Sequence, residues 1–143
     1  MILVDSNIFT YAAGREHANR RASGEFLERV AQGTVKAAID AEVLQEVVRR
    51  YTALKRWEKG RLVYDAARTL FPDVLPVTAE VKDGARRLLD SHPGMGARDA
   101  VHAAVVDVYG LKGICSYDRD FDRIRICGGW SREGPEIDDG KCA

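Results

Sequence analysis

Short apolar runs alternate along this chain with longer stretches of helical period, and the alternation predicts its elements. The run ILVD at the N-terminus reads as a buried strand, followed by helical periodicity to about Gly33. VKAAI is a second strand, and residues of about 41–70 read as helices. DVLPV after Pro72 is a third strand, a helix spans about 79–91, and the Gly-rich loop HPGMGA leads into the helix DAVHAAVVDVY. KGICSY closes the series as another strand. Strands alternating with helices predict an α/β fold with a mainly parallel central sheet flanked by helices, whose ligand site lies beyond the carboxyl ends of the strands. Apolar periodicity stops near residue 128, so the expected division is a domain over 1–127 and a loosely structured acidic tail over 128–143.

Length and composition narrow the class. A chain of 143 residues with 45% hydrophobic and 31% charged residues is sized for one domain with a sizeable core. MILVDSNIF lacks the basic start and uninterrupted apolar region of a signal peptide, and no run reaches membrane-spanning length. A cytoplasmic protein with no membrane partner is expected. Cys115, Cys127 and Cys142 lie too far apart for a CxxC motif, and read as reduced thiols, the first two as small core residues.

The balance of 22 basic and 22 acidic residues conceals an asymmetry. EGPEIDDGKCA at the C-terminus holds four acids and one Lys, leaving residues 1–132 at +3. Arg outnumbers Lys, and its planar fork suits phosphate oxygens better than the point charge of Lys does.

Candidate chemistry lies in the carboxylates. Asp5 ends the first strand, as a helix N-cap or a ligand at the carboxyl edge. In ARDAVHAAVVDVYG, Ala97, Val101, Ala104, Val105 and Val108 share one face while Ala103 and Val106 share another, so the helix is expected to be buried on two sides. Asp99 and His102 project with Ala103 and Val106. A carboxylate in such surroundings needs a cation, hydrogen-bond donors or the helix dipole. His102 reads more readily as a hydrogen-bonded core or pocket-wall residue than as a ligand. Asp118, in SYDRDFD, follows the last strand directly, with Asp120 as the second candidate in that loop. Glu46 flanks the apolar arc of Val43, Leu44, Val47, Val48 and Tyr51 and can reach inward, whereas Glu42 lies further round towards water. Four acids converging on one sheet edge form an all-oxygen cluster suited to Mg²⁺ or Mn²⁺, and so to phosphate chemistry. Neutralising them would raise the body of the chain from +3 to +7, letting a polyanion dock.

Four segments in order, ILVDSNIFTYA, VLQEVVRRY, RDAVHAAVVDVYGLKGI and CSYDRDFDRI, resemble the PIN-domain nucleases, most closely the VapC-type toxins of toxin–antitoxin pairs. The resemblance covers residue 1 to about 127. It implies that Asp5, Glu46, Asp99 and Asp118 bind the metal, and that Asn7 and Ser116 line the site. It further implies an Mg²⁺- or Mn²⁺-dependent endoribonuclease, with Asp5 and Asp99 holding the principal ion, Glu46 and Asp118 completing the site, and Arg98 or Arg119 meeting leaving-group charge. Water attack in line would leave 5′-phosphate and 3′-hydroxyl ends. The partners implied are RNA, with tRNA or another structured RNA as the candidate substrate, a cognate antitoxin, and a second copy in a homodimer. Alternatives are a PIN-domain RNA-processing nuclease outside any toxin–antitoxin pair and a catalytically degenerate domain that only binds RNA or protein. A phosphotransferase of the haloacid-dehalogenase type also starts from a strand-end Asp but wants a second Asp two residues on, where this chain has Asn7.

Overall fold

A computed structural model describes residues 1–118 of the chain. The expectations for Arg119, Asp120, Cys127, Cys142 and the 128–143 tail lie outside the described residues. Among the described residues ten elements follow one another: β1 (Ile2–Val4), α1 (Ser6–Ala13), α2 (Ala18–Ala31), β2 (Ala37–Asp40), α3 (Ala41–Ala53), α4 (Trp57–Leu70), β3 (Val74–Leu75), α5 (Ala79–Ser91), α6 (Ala97–Val108) and β4 (Ile114–Cys115). The four strands form one parallel sheet in the order β3-β2-β1-β4. Leu3 pairs with Ala38 on one side and Ile114 on the other, so β1 is central.

Side-chain alternation along the short strands divides the core into two layers. Val4, Ile39 and Cys115 pack with Ile8, Phe9, Phe26, Val43, Val47, Tyr51, Val63, Ala67 and Phe71, burying the inner faces of α1 to α4. Leu3 and Ile114 face the other way, against Val81, Ala85, Ala100, Val101, Ala104, Val105 and Val106 of α5 and α6. Residues Ala100 through Val106 are all buried, so α6 is enclosed on two sides as its sequence predicts.

The single helix expected up to Gly33 is two helices. Gly14 ends α1 in an extended conformation, with its N–H on the Tyr11 carbonyl, and a Cβ there would stand 2.8 Å from the Thr10 carbonyl oxygen. The chain restarts at His17, whose Nδ1 accepts the Asn19 N–H as the N-cap of α2. Between α3 and α4, Lys55 takes a left-handed φ of 55°.

Candidate metal centre

The strand order reverses between β1 and β4, and an open parallel sheet places its crevice at such a switch point. Asp5 follows β1 and Ser116 follows β4, one on each side of that crevice. Ser116 donates to Asp5 Oδ2 at 2.5 Å. The Ser116 oxygen in turn accepts from Asn7 Nδ2 at 3.0 Å and from the Asp118 N–H at 2.9 Å. With its proton and both lone pairs committed, Ser116 has one orientation, and it fixes that of the Asp5 carboxylate. Asn7 completes the link by accepting the Tyr117 N–H at 3.4 Å.

Glu46 approaches from α3. It is buried among polar groups, receiving the Ser6 hydroxyl and lying 3.4 Å from Arg98 Nε at the start of α6. Arg98, expected to meet leaving-group charge, here pairs with Glu46. Its side chain is 53% exposed and keeps one side to solvent. From α6, His102 enters fully buried, with Nδ1 2.7 Å from Asp40 Oδ2. The other Asp40 oxygen accepts the Val43 N–H at 2.9 Å, capping α3. His102 Nε2 lies 3.5 Å from Glu46 Oε1 and 3.8 Å from Asp5 Oδ1, and has no hydrogen-bond partner among the described residues.

Three carboxylates of Asp5, Asp40 and Glu46 are therefore buried around one imidazole and one half-exposed guanidinium. Burial raises the Asp5 pKa above 3.8, only partly opposed by His102 and the Ser116 hydrogen bond. Burial also works to raise Glu46, but His102, the Ser6 hydroxyl and Arg98 outweigh it and bring Glu46 below 4.5. His102 is held well above 6.5 although burial opposes its charge, because Asp40, Glu46 and Asp5 surround it. One donor atom each from Asp5, Glu46 and His102 falls within 4.8 Å of the others, the arrangement of groups that can hold one metal ion. The chemistry fits: three buried acids face only one imidazole and one half-exposed guanidinium among the described residues, and a buried nitrogen without a hydrogen bond costs about 1–3 kcal/mol unless something else meets it.

The structure thus brings Asp5, Glu46, Asn7 and Ser116 into one network. Asp99 lies one turn before His102, half-buried in the first turn of α6, with Oδ2 where a Cβ on Gly96 would come within 3.1 Å. It is not among the three clustered donors. Asp118 is half-buried, and its backbone N–H donates to Ser116. His102 has the hydrogen-bonded wall position expected of it, and in addition turns a second nitrogen into the cluster. Asp40 is the residue that sequence reasoning missed. The signal was present, since Asp40 ends VKAAID as Asp5 ends ILVD.

A parallel sheet of this order with a buried acidic cluster at its switch point defines the class: residues 2–126 match the family described as PIN domain, and the chain belongs to it. Within that family it is 38% identical over 122 residues to Ribonuclease VapC13 of Mycobacterium tuberculosis, a match spanning 85% of this chain and 93% of the relative. Ribonuclease VapC23 of the same species is 36% identical over 121 residues, 82% of this chain and 93% of the relative. Among solved structures, FitAcB from Neisseria gonorrhoeae has a TM-score of 0.65 at 18% identity, covering 85% of this chain and 91% of that one, a likeness of fold.

Proposed function

We propose that the protein is a metal-dependent endoribonuclease of the VapC type, hydrolysing RNA phosphodiester bonds as the toxin of a toxin–antitoxin pair. The observation that carries this reading is the buried Asp5–Glu46–His102 donor set at the switch point of a PIN domain whose relatives are named ribonucleases. Asp5 and Glu46 would hold the ion, with Asp99 and Asp118 as the further acids, Asp120 as the second candidate in that loop, and Mg²⁺ or Mn²⁺ as the ion. When bound, such a cation neutralises charge on a phosphodiester and makes water a stronger nucleophile at neutral pH.

The chain's own groups have distinct tasks. Ser116, held by Asn7, keeps Asp5 Oδ2 aimed in one direction. Ser6 and Arg98 orient Glu46, and the exposed side of Arg98 is available to a phosphate oxygen. Asp40 fixes the ring of His102. RNA would approach over the Arg-rich body, and an antitoxin would inhibit by seating a basic or apolar segment in the acidic crevice. Leu54, in the connection between α3 and α4, and Trp57 and Leu62 on α4 stand exposed, and are the candidates for a homodimer contact. The site of action is the cytoplasm; among the described residues, no helix is long and apolar enough to cross a membrane.

The test is cleavage of a labelled tRNA mixture and other structured RNAs by wild type, Asp5→Asn and Asp99→Asn, with Mg²⁺, Mn²⁺ or EDTA. Cutting that needs the ion and falls by about 10²-fold or more in each folded variant is expected, the scale for loss of one preorganised charged group. Folded wild type that cuts none of these RNAs would instead favour a binding domain. A short neighbouring reading frame for a DNA-binding antitoxin separates the toxin role from RNA processing, and sedimentation tests the dimer.

A further inference from the structure

The two ring nitrogens of His102 are treated differently by the fold. Nδ1 is satisfied by Asp40, and Asp40 is itself pinned by the helix it caps. Nε2 is sealed from solvent with no hydrogen bond among the described residues, yet it points between Asp5 and Glu46. Its separations of 3.8 and 3.5 Å are too long for N–H···O bonds. They are close to the distance between two donors sharing one ion at about 2.1 Å each, which is about 3.0 Å in an octahedron and about 3.4 Å in a tetrahedron.

Resting on the metal-dependent reading above, we propose that His102 Nε2 is a direct ligand of the ion, which displaces the Nε2 proton to solvent as it binds, and that Asp40 is the positioning residue that keeps the remaining ring hydrogen on Nδ1. The centre is then a mixed nitrogen–oxygen site rather than the all-oxygen cluster the sequence suggested. Histidine ligands commonly donate their second nitrogen to a carboxylate, which sets the tautomer and raises the basicity of the ligating nitrogen. Imidazole suits first-row transition ions, whereas oxygen donors suit Mg²⁺, so the site should prefer Mn²⁺ over Mg²⁺. Asp40 and His102 come from β2 and α6, outside the four acids first singled out, and their pairing links the strand beside β1 to the helix that carries Asp99.

The experiment is electron spin-echo envelope modulation on the full chain loaded with Mn²⁺, with and without ¹⁵N-histidine labelling, in wild type and His102→Gln. Modulation from a directly bound imidazole nitrogen, changed by labelling and absent from His102→Gln, is expected. Asp40→Asn gives an independent arm that keeps an oxygen for the Val43 cap but turns an amide NH₂ towards Nδ1. The ring hydrogen must then move to Nε2 and remove its lone pair. Mn²⁺ affinity by calorimetry should fall about 10- to 100-fold, with a smaller change for Mg²⁺. Mn²⁺ that binds wild type without nitrogen modulation overturns the proposal and leaves the metal-dependent reading standing. Failure of wild type to bind Mn²⁺ at millimolar concentration overturns the two together. The wild-type spectrum decides even if His102→Gln does not fold.

Discussion

Three buried carboxylates around a single imidazole make the unliganded site sensitive to pH, and the direction follows from how each group is displaced. His102 lies well above 6.5 through Asp40, Glu46 and Asp5, so its imidazolium is better stabilised in the folded chain than in the unfolded one. That contribution is complete below pH 6.5 and is lost as pH rises through the folded value. Asp5, raised by burial, acts in the same sense, since the folded state favours its neutral form and stability is lost as it ionises above 3.8. Glu46 acts oppositely, contributing above 4.5 and losing that contribution as acid takes pH through its lowered value. With EDTA present, urea midpoints should therefore decline from about pH 6.5 upwards, by at most about 1.4 kcal/mol per pH unit for one proton. His102→Gln should flatten that decline; an unchanged slope would mean that the imidazole is not its source. At this scale Asp5 and Glu46 were legible because a strand end and a helix flank follow from the chain pattern. Their surroundings were not, because Ser6 and Asp40 are unremarkable polar residues until the fold sets one against Glu46 and the other against His102.

Helix packing imposes a second kind of constraint, visible in two glycines of opposite consequence. Gly60 sits in α4 where α3 crosses it, and a Cβ there would lie 2.4 Å from Tyr51 Cβ and 2.9 Å from Tyr51 Cγ. Tyr51 is buried at that contact and cannot swing away from its own Cβ. Gly60→Ala should thus destabilise by about 1–3 kcal/mol despite the better helix propensity of Ala. Gly24 lies within α2 with nothing inside 4 Å of the position a Cβ would take. Gly24→Ala should stabilise by about 0.4–1 kcal/mol, mainly by restricting the unfolded chain. Thermal or urea denaturation of the pair checks the two signs; Gly60→Ala at wild-type stability would show that α3 and α4 can separate at little cost. Nearly every other element was legible from periodicity, including the doubly buried α6. The break between α1 and α2 was hidden because Gly14 and the His17 cap interrupt an amphipathic pattern without changing its phase enough to see.

At the scale of the whole molecule, the site is a junction. Asp5 comes from the end of β1, Asp40 from β2, Glu46 from α3, His102 from α6 and Ser116 from just after β4. An ion bound there would cross-link the two core layers through groups that otherwise repel one another, and would bind the folded chain alone. Mn²⁺ at about 100 times its dissociation constant should add about 2.7 kcal/mol, raising the melting temperature by about 5–10 °C. Glu46→Gln should reduce that shift, and a melting temperature indifferent to Mn²⁺ in wild type would contradict a site in this junction.

The sequence by itself determined the order of strands and helices, the parallel sheet that such alternation demands, and the edge on which Asp5 and Glu46 would meet, while Asn7 and Ser116 were placed there by the family resemblance alone. The order, the sheet and the edge follow from local period and from the rule that βα units place strand ends on one side. Only the tertiary structure decided which acids close on one another and that a histidine joins them. Whether Asp40 meets His102 across 62 residues, or Glu46 turns to His102 and Arg98 rather than to solvent, depends on how α3 and α6 pack around β1 and β2. Such contacts are set by packing between segments distant in the chain, and no periodicity within either segment carries them.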